Sequence, residues 1–256
     1  MIGIFDSGVG GLTVLREIIK NLPGYDVVYF GDTARTPYGN KSKETIIKYA
    51  LEDADFIIER GAKIIVIACN TVSSLAYEEL KKKYPDTPIF EVITPAVEAA
   101  LASTKNNKVG IIGTRATINS GIYETKLKEK NSTVSTVSRA CSLFVPFIEE
   151  GWTNNVELKM IARRYLAHLK NSNIDTLILG CTHYLIIKDI IQKKIGERVK
   201  LIDSAGVVSE KVKKFLENND LQIGRNGKLE IFVSDKTTQC QKIANRVLGS
   251  AIIQQI

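Results

Sequence analysis

The chain has 256 residues, of which 44% are hydrophobic, and its formal net charge is +7. This composition predicts a globular protein with a substantial core and excludes a disordered or low-complexity chain. Its lysines stand among acidic residues, as on solvated helix faces, so we expect no nucleic-acid partner, while the mild positive charge favours a small anionic substrate.

The first part of the chain alternates short apolar runs with amphipathic stretches. Four runs predict strands: IGIFDS (2–7), DVVYFGD (26–32), KIIVIAC (63–69) and PIFEVI (88–93). Helical periodicity predicts helices between them, over residues 10–22, 43–60 and 70–83. Continuous apolar strands that alternate with helices are typical of a parallel sheet covered on both faces.

The same order of strands then begins again. VGIIGT (109–114), STVSTVSRA (132–140), TLILGC (176–181) and RVKLID (198–203) match the four earlier strands in order, at offsets of about 110 residues. We therefore predict an α/β fold with two similar domains, parallel sheets, pseudo-two-fold symmetry and an active site in the cleft between them. The tail, 208–256, predicts a helix, a strand and a last helix, and it is too short to fold alone.

Two cysteines, Cys69 and Cys181, end equivalent predicted strands. Ligands bind at the carboxyl ends of parallel strands, so pseudo-symmetry would aim both thiols at one cleft from opposite sides. A racemase needs such a pair, because one group removes a proton from a stereocentre and the other returns one to the opposite face. Either cysteine alone could be a small core residue. The polar residues that follow each, Asn70–Thr71 and Thr182–His183, favour the catalytic interpretation of the pair.

The remaining cysteines carry no predicted chemistry. Cys141 has no counterpart in the other half, and Cys240 falls on one helical stripe with Ile243, Ala244 and Val247, which predicts a core position. The chain has two histidines and no CxxC motif, so we expect no metal site. No basic leader and no membrane span of roughly 18 apolar residues is evident, so we expect a cytoplasmic protein with no membrane partner.

Other residues at the strand ends have two interpretations each. Asp6 either caps the glycine turn that follows it or contacts a substrate ammonium and helps a thiol to lose its proton. His183 is placed to tune the neighbouring thiol. Glu149 lies either at the cleft rim or at an exposed helix end. No lysine motif for a Schiff base or pyridoxal phosphate is evident, so we expect no cofactor.

Six blocks along most of the chain resemble the signature blocks of glutamate racemases, in the aspartate/glutamate racemase family. They are FDSGVGGLTVL (5–15), GDTARTPYGNK (31–41), IACNTVSS (67–74), GTRATINS (113–120), VPFIEEG (145–151) and LGCTHY (179–184). The blocks follow the family's order. One departure is Leu185, which stands where the family usually has a proline.

The resemblance implies cofactor-independent interconversion of L- and D-glutamate, the D-form being a building block of bacterial peptidoglycan. It implies that Cys69 and Cys181 are the acid/base residues. It also implies a set of substrate-binding residues: Asp6, Ser7, Tyr38, Gly39, Asn70, Thr71, Thr114, Thr117, Thr182 and His183. The family's fold places the tail with the first half, which gives domains of 1–95 plus 208–256 and of 96–207. Aspartate racemase and a non-catalytic amino-acid-binding protein remain alternatives, and a homodimer stays open.

Overall fold

A computed structural model describes residues 1–219 and 221–256, in which strands and helices alternate along the chain. The strands are β1 (Ile2–Asp6), β2 (Val27–Gly31), β3 (Ile64–Ile67), β4 (Ile89–Glu91), β5 (Lys108–Gly113), β6 (Ser135–Ala140), β7 (Thr176–Gly180), β8 (Lys200–Ile202), β9 (Leu229–Val233) and β10 (Gln254–Gln255). The α-helices are α1 (Leu12–Asn21), α2 (Lys43–Glu59), α3 (Asn70–Leu75), α4 (Tyr77–Lys83), α5 (Ile93–Ser103), α6 (Arg115–Asn119), α7 (Ile122–Lys130), α8 (Phe144–Glu149), α9 (Val156–Asn171), α10 (Lys188–Ile195), α11 (Ser204–Asn218) and α12 (Thr238–Leu248). Short 3₁₀ turns span Thr33–Arg35, Tyr38–Asn40 and Thr182–Ile187.

The strands form two parallel sheets. One has the order β10-β9-β2-β1-β3-β4 and the other has the order β6-β5-β7-β8. The core of the first sheet, β2-β1-β3-β4, therefore has the same strand order as the second. Every residue of β1, β2, β3 and β7 is buried, because helices cover both faces of each sheet. The predicted α/β class with two parallel sheets is confirmed.

The tail extends the first sheet. β9 pairs with β2 in parallel register, from Val27 opposite Leu229 to Gly31 opposite Val233. The predicted core stripe of α12 is confirmed, since all of its members are buried: Cys240, Ile243, Ala244 and Val247.

The predicted domain limits at 95/96 and 207/208 fall inside α5 and α11. The chain thus crosses between the sheets along helices rather than along linkers, and the division itself stays a prediction.

Two local features differ from the sequence pattern. The helix expected over 70–83 is divided at the buried residue Ala76 into α3 and α4. Leu185 lies in the 3₁₀ turn that leads into α10, and it packs against apolar cores on both sheets. In the described residues, no helix has both the length and the apolarity that crossing a membrane requires.

Candidate active site

A cavity lies where the carboxyl ends of the two sheets face each other, and both predicted catalytic cysteines line it. The empty volume between the surrounding residues, including the part that is open to solvent, is about 300 Å³. Cys69 follows β3 and Cys181 follows β7, the equivalent strands of the two sheets. The residues around the cavity come from both halves: Ser7, Thr36, Pro37, Tyr38, Gly39, Cys69, Asn70, Thr71, Thr114, Val145, Cys181, Thr182 and His183.

The Cys69 thiol is buried at the N-terminus of α3. Its S–H donates to Ser7 Oγ at 3.4 Å. Burial, and then the charge of the nearby Asp6, raises the pKa of Cys69 to about 12, while the hydrogen-bond contacts with Ser7 and with the Val72 backbone oppose the rise. Cys69 is therefore a neutral thiol in this structure at neutral pH.

Different groups surround Cys181. Its Sγ lies 3.9 Å from His183 Nδ1, and His183 Nε2 lies 3.1 Å from Glu149 Oε1. Thr36 Oγ1 donates to the same Glu149 oxygen at 3.2 Å. Burial lowers the pKa of His183, but the contacts with Cys181 and Glu149 outweigh it and raise that pKa well above its ordinary value. The His183 ring therefore lies between Glu149 and the second cysteine, in surroundings that favour its protonated form.

Asp6 supports the cavity from behind and does not line it. Its Oδ2 accepts hydrogen bonds from the backbone N–H groups of Gly8 (3.1 Å) and Gly11 (3.0 Å). Thr182, in the other half, donates to Asp6 Oδ1 at 3.4 Å. Burial raises the pKa of Asp6 to about 6, although the His183 charge and these hydrogen bonds oppose the rise. The capping contacts expected under the first interpretation of Asp6 are present.

The glycine turn after β1 meets the other half at very short range. A Cβ on Gly10 would lie 2.3 Å from His183 Nδ1 and 2.4 Å from Thr182 Oγ1. Tyr29 Oη donates to the Gly8 carbonyl at 2.6 Å and so holds the turn from below. The glycine at position 10 is needed because a side chain there would occupy the space of His183.

The segment between β2 and α2 contributes Tyr38 and Gly39 to the cavity wall. Tyr38 Oη contacts Asp32 and lies 2.9 Å from Asp53 Oδ2, so this hydroxyl is bonded to buried carboxyl groups. Burial, and then the charge of Asp32, raises the pKa of Asp53 well above its ordinary value, and Arg35 opposes the rise. A Cβ on Gly39 would lie 2.5 Å from Thr114 Cβ, so the loop fits tightly against the second half.

Three threonine hydroxyls from both halves form one cluster. Thr71 Oγ1 lies 2.9 Å from Thr114 Oγ1 and 3.3 Å from Thr117 Oγ1, and the last two are 3.0 Å apart. Thr114 also caps α6 through the backbone N–H of Thr117 at 3.2 Å. Thr71 and Thr114 line the cavity, whereas Thr117 lies behind them.

Asn70 has one end of its amide bonded and the other end free. Tyr123 Oη donates to Asn70 Oδ1 at 2.6 Å. Among the described residues, the buried Nδ2 group has no hydrogen-bond partner. Because Asn70 lines the cavity, its NH₂ group is a donor available to a ligand with an acceptor oxygen.

Sequence reasoning missed four residues of this region. Thr36, Pro37 and Val145 line the cavity, and each lies inside a block that carried the resemblance. Tyr123 lies outside those blocks, and no local pattern marks it. Within the described part of the chain, no group of three or more His, Cys, Asp or Glu side chains is arranged to hold a metal ion.

Comparisons with known proteins agree with this architecture. The family model described as Asp/Glu/Hydantoin racemase matches residues 3–212. A protein named glutamate racemase from Geobacter metallireducens is 48% identical over 253 residues, which cover 98% of this chain and 93% of that protein.

Solved structures give the same result. A glutamate racemase isoform from Bacillus anthracis superposes with a TM-score of 0.94 at 34% identity, over 100% of this chain and 97% of that one. The glutamate racemase of Francisella tularensis in complex with D-glutamate has a TM-score of 0.90 at 38% identity, over 100% of this chain and 96% of that one. The resemblance found in the sequence blocks is confirmed, and this chain belongs to the Asp/Glu/Hydantoin racemase family.

Proposed function

We propose that this protein is a cofactor-independent glutamate racemase in which Cys69 and Cys181 are the two acid/base groups. The observation that carries the proposal is that two thiols from equivalent strands, one in each half, line a single cavity. The names of the relatives supply glutamate as the substrate.

The reaction moves one proton across the substrate's Cα. One cysteine, as thiolate, takes the Cα proton from its own side, and the electron pair of the broken C–H bond passes to the α-carboxylate. The other cysteine, as thiol, then gives its proton to the opposite face of Cα, which inverts the centre. The two sulfur atoms end with exchanged protonation states, and the reverse turnover or proton exchange with solvent restores them.

The two thiols have different neighbours, which is consistent with one being protonated and the other deprotonated in the free enzyme. Burial and Asp6 keep the proton on Cys69, whose pKa is about 12. Cys181 has the His183 ring as its neighbour, 3.9 Å away, and Glu149 holds that ring from its other nitrogen. We therefore assign Cys69 as the resting acid, and Cys181 is then the base that the two-thiol mechanism requires.

The walls suit a substrate whose negative charge grows during the reaction. Removal of the Cα proton places a second negative charge on the α-carboxylate side of the molecule. The free Nδ2 group of Asn70 and hydroxyls of both halves are available as donors, and such preorganised donors supply the largest part of many catalytic effects. We assign the hydroxyl donors as Ser7, Thr71 and Thr114. Thr182, whose hydroxyl donates to Asp6, contacts the substrate from the opposite wall. Thr117 and Asp6 hold these groups from behind.

Circular dichroism of glutamate solutions tests the proposal. We expect the wild-type protein to racemise both enantiomers, and Cys69→Ala and Cys181→Ala to lose at least about a hundredfold in rate, because each removes one acid/base group. Cys141→Ala is the matched control, since Cys141 is equally buried but does not line the cavity. Normal turnover by either cavity variant would exclude the two-thiol mechanism.

Exchange of the Cα proton in heavy water assigns each thiol to its face. Each cavity variant should keep exchange with one enantiomer and lose it with the other. Turnover of aspartate but not of glutamate would make the protein an aspartate racemase, and binding without exchange would make it a non-catalytic binding protein.

We further propose that the product D-glutamate supplies peptidoglycan synthesis in the cytoplasm. A bacterium that requires external D-glutamate should grow without it when it expresses the wild-type chain, and it should fail to grow with Cys69→Ala.

A further inference from the structure

Tyr123 lies behind the cavity and contacts the residue next to each cysteine. It lies in the first turn of α7, with 1% of its surface exposed. Its hydroxyl bonds Asn70, which directly follows Cys69. Its ring packs on Gly180, which directly precedes Cys181, so closely that a Cβ on Gly180 would lie 3.2 Å from Tyr123 Cε2. One side chain of the second half thus supports both cysteine-bearing strand ends.

The Tyr123 hydroxyl favours one orientation of the Asn70 amide, because the reverse orientation would leave the buried hydroxyl proton without an acceptor among the described residues. A tyrosine hydroxyl has one proton to donate, and its acceptor here is Asn70 Oδ1 at 2.6 Å. The opposite end of the amide is therefore the NH₂ group. In the described structure that group is buried and lacks a partner, although Asn70 lines the cavity. A buried donor without an acceptor is unfavourable, and a ligand oxygen would satisfy it.

We propose that Tyr123 is a positioning residue for racemisation, which fixes the Asn70 amide so that its Nδ2 group donates to a substrate carboxylate. The inference rests on the proposed function and deepens it. Tyr123 itself does not line the cavity, so it acts only through Asn70. Without its hydroxyl, the amide can turn and present Oδ1 to the carboxylate, where two acceptor oxygens repel each other.

A purely structural role makes a different prediction. A buried hydrogen bond between the halves would, when lost, lower stability and leave substrate affinity unchanged. Tyr123→Phe separates the two roles, because it keeps the ring on Gly180 and removes only the hydroxyl. The matched control is Tyr84→Phe, which removes a tyrosine hydroxyl that donates to Asp55 outside the cavity.

The experiment measures kcat and KM for both glutamate enantiomers in wild type, Tyr123→Phe, Asn70→Ala, the double variant and Tyr84→Phe. We expect Tyr123→Phe to lower kcat/KM by about tenfold to a hundredfold, the effect of one hydrogen bond to a charged group, through a higher KM and also a lower kcat, because the same donor faces the charge that grows on the carboxylate. Tyr84→Phe should leave kcat/KM unchanged. In the Asn70→Ala background, Tyr123→Phe should add less than about twofold, because both changes remove one interaction.

The outcomes separate this inference from the proposed function. A wild-type chain that does not racemise glutamate overturns both. An active wild type with unchanged kcat/KM in Tyr123→Phe, or with additive effects in the double variant, overturns the role of Tyr123 alone.

Asn70→Asp gives a second test that keeps Tyr123. Its carboxylate would accept from Tyr123 with one oxygen and face the substrate with the other, so we expect a KM higher than that of Asn70→Ala by at least about tenfold. An equal or lower KM would contradict the proposed amide orientation.

Discussion

Gly10→Ala tests how closely the two halves must approach for the chemistry. The added Cβ would lie 2.3 Å from His183 Nδ1, whereas ordinary van der Waals contact begins near 3.4 Å. The backbone at Gly10 does not have a positive φ, so alanine fits the local conformation there. The conflict is therefore entirely with the other half.

The neighbouring groups decide the size of the effect. His183 is buried and held on both sides by Cys181 and Glu149, so the ring cannot turn away freely. Either His183 or the whole glycine turn must move by about 1 Å, and a displacement of that size at a catalytic group costs about a hundredfold in rate. Overpacking should also lower the free energy of unfolding by about 1–3 kcal/mol.

Racemisation in both directions is followed by circular dichroism, and stability is followed by urea unfolding. We expect kcat/KM to fall by about a hundredfold while the protein stays folded. Gly206→Ala is the matched control, because Gly206 lies in α11 and a Cβ there meets nothing within 4 Å. That variant should keep full activity and equal or higher stability, since alanine favours a helix. Activity of folded Gly10→Ala within about threefold of wild type would refute the idea that this close contact positions His183.

Two predictions concern pH. Glu149→Gln removes a carboxylate that raises the pKa of His183. The alkaline limb of the pH profile of kcat/KM should therefore move to lower pH. An alkaline limb that does not move would show that the ionisation of His183 does not set it. Burial raises the pKa of Asp6 to about 6 from an ordinary 3.8, so the stability contributed by its proton is complete below about pH 4 and is lost as the pH rises to about 6. That loss in the free energy of unfolding is about 3 kcal/mol, at 1.36 kcal/mol per pKa unit. We expect Asp6→Asn to remove this pH dependence when the free energy of unfolding is measured in urea between about pH 4 and pH 6. If the variant shows the same pH dependence, another group causes it.

The fold was largely predictable because the chain contains the same pattern twice. Strong apolar runs give the strands, and their repetition gives two sheets of one strand order, β2-β1-β3-β4 and β6-β5-β7-β8. The placement of β9 beside β2 could not be read from its own residues, because LEIFV would suit an edge of either sheet. That choice depends on packing between distant segments, such as α12 against α1 in the apolar core of the first sheet.

The site was predictable where a strand ends and unpredictable where distant segments meet. Cys69 and Cys181 could be placed because parallel strands bring their carboxyl ends to one edge. The contact between Tyr123 and Asn70 spans 53 positions in the chain, and Tyr38 reaches Asp53 across 15. Such pairs have no local spacing rule, since they form only after the sheets and helices pack. Asp6 illustrates the intermediate case, because both of its interpretations fit the sequence and only the hydrogen bonds show the capping contacts.

The two cysteines occupy equivalent positions in the two sheets, but the side chains around them differ. A two-base racemase needs one charged and one neutral sulfur at each moment. If both thiols had the same neighbours, the state with the proton on Cys69 and the state with the proton on Cys181 would have equal free energy. Half of the free enzyme would then have the wrong cysteine deprotonated for a given enantiomer. Burial and Asp6 raise the pKa of Cys69 and so keep its proton in place, whereas Cys181 has His183 beside it, so the two states differ in free energy. Under the proposed mechanism, the free enzyme is therefore prepared for one enantiomer, and it must move a proton between the sulfurs before it can accept the other.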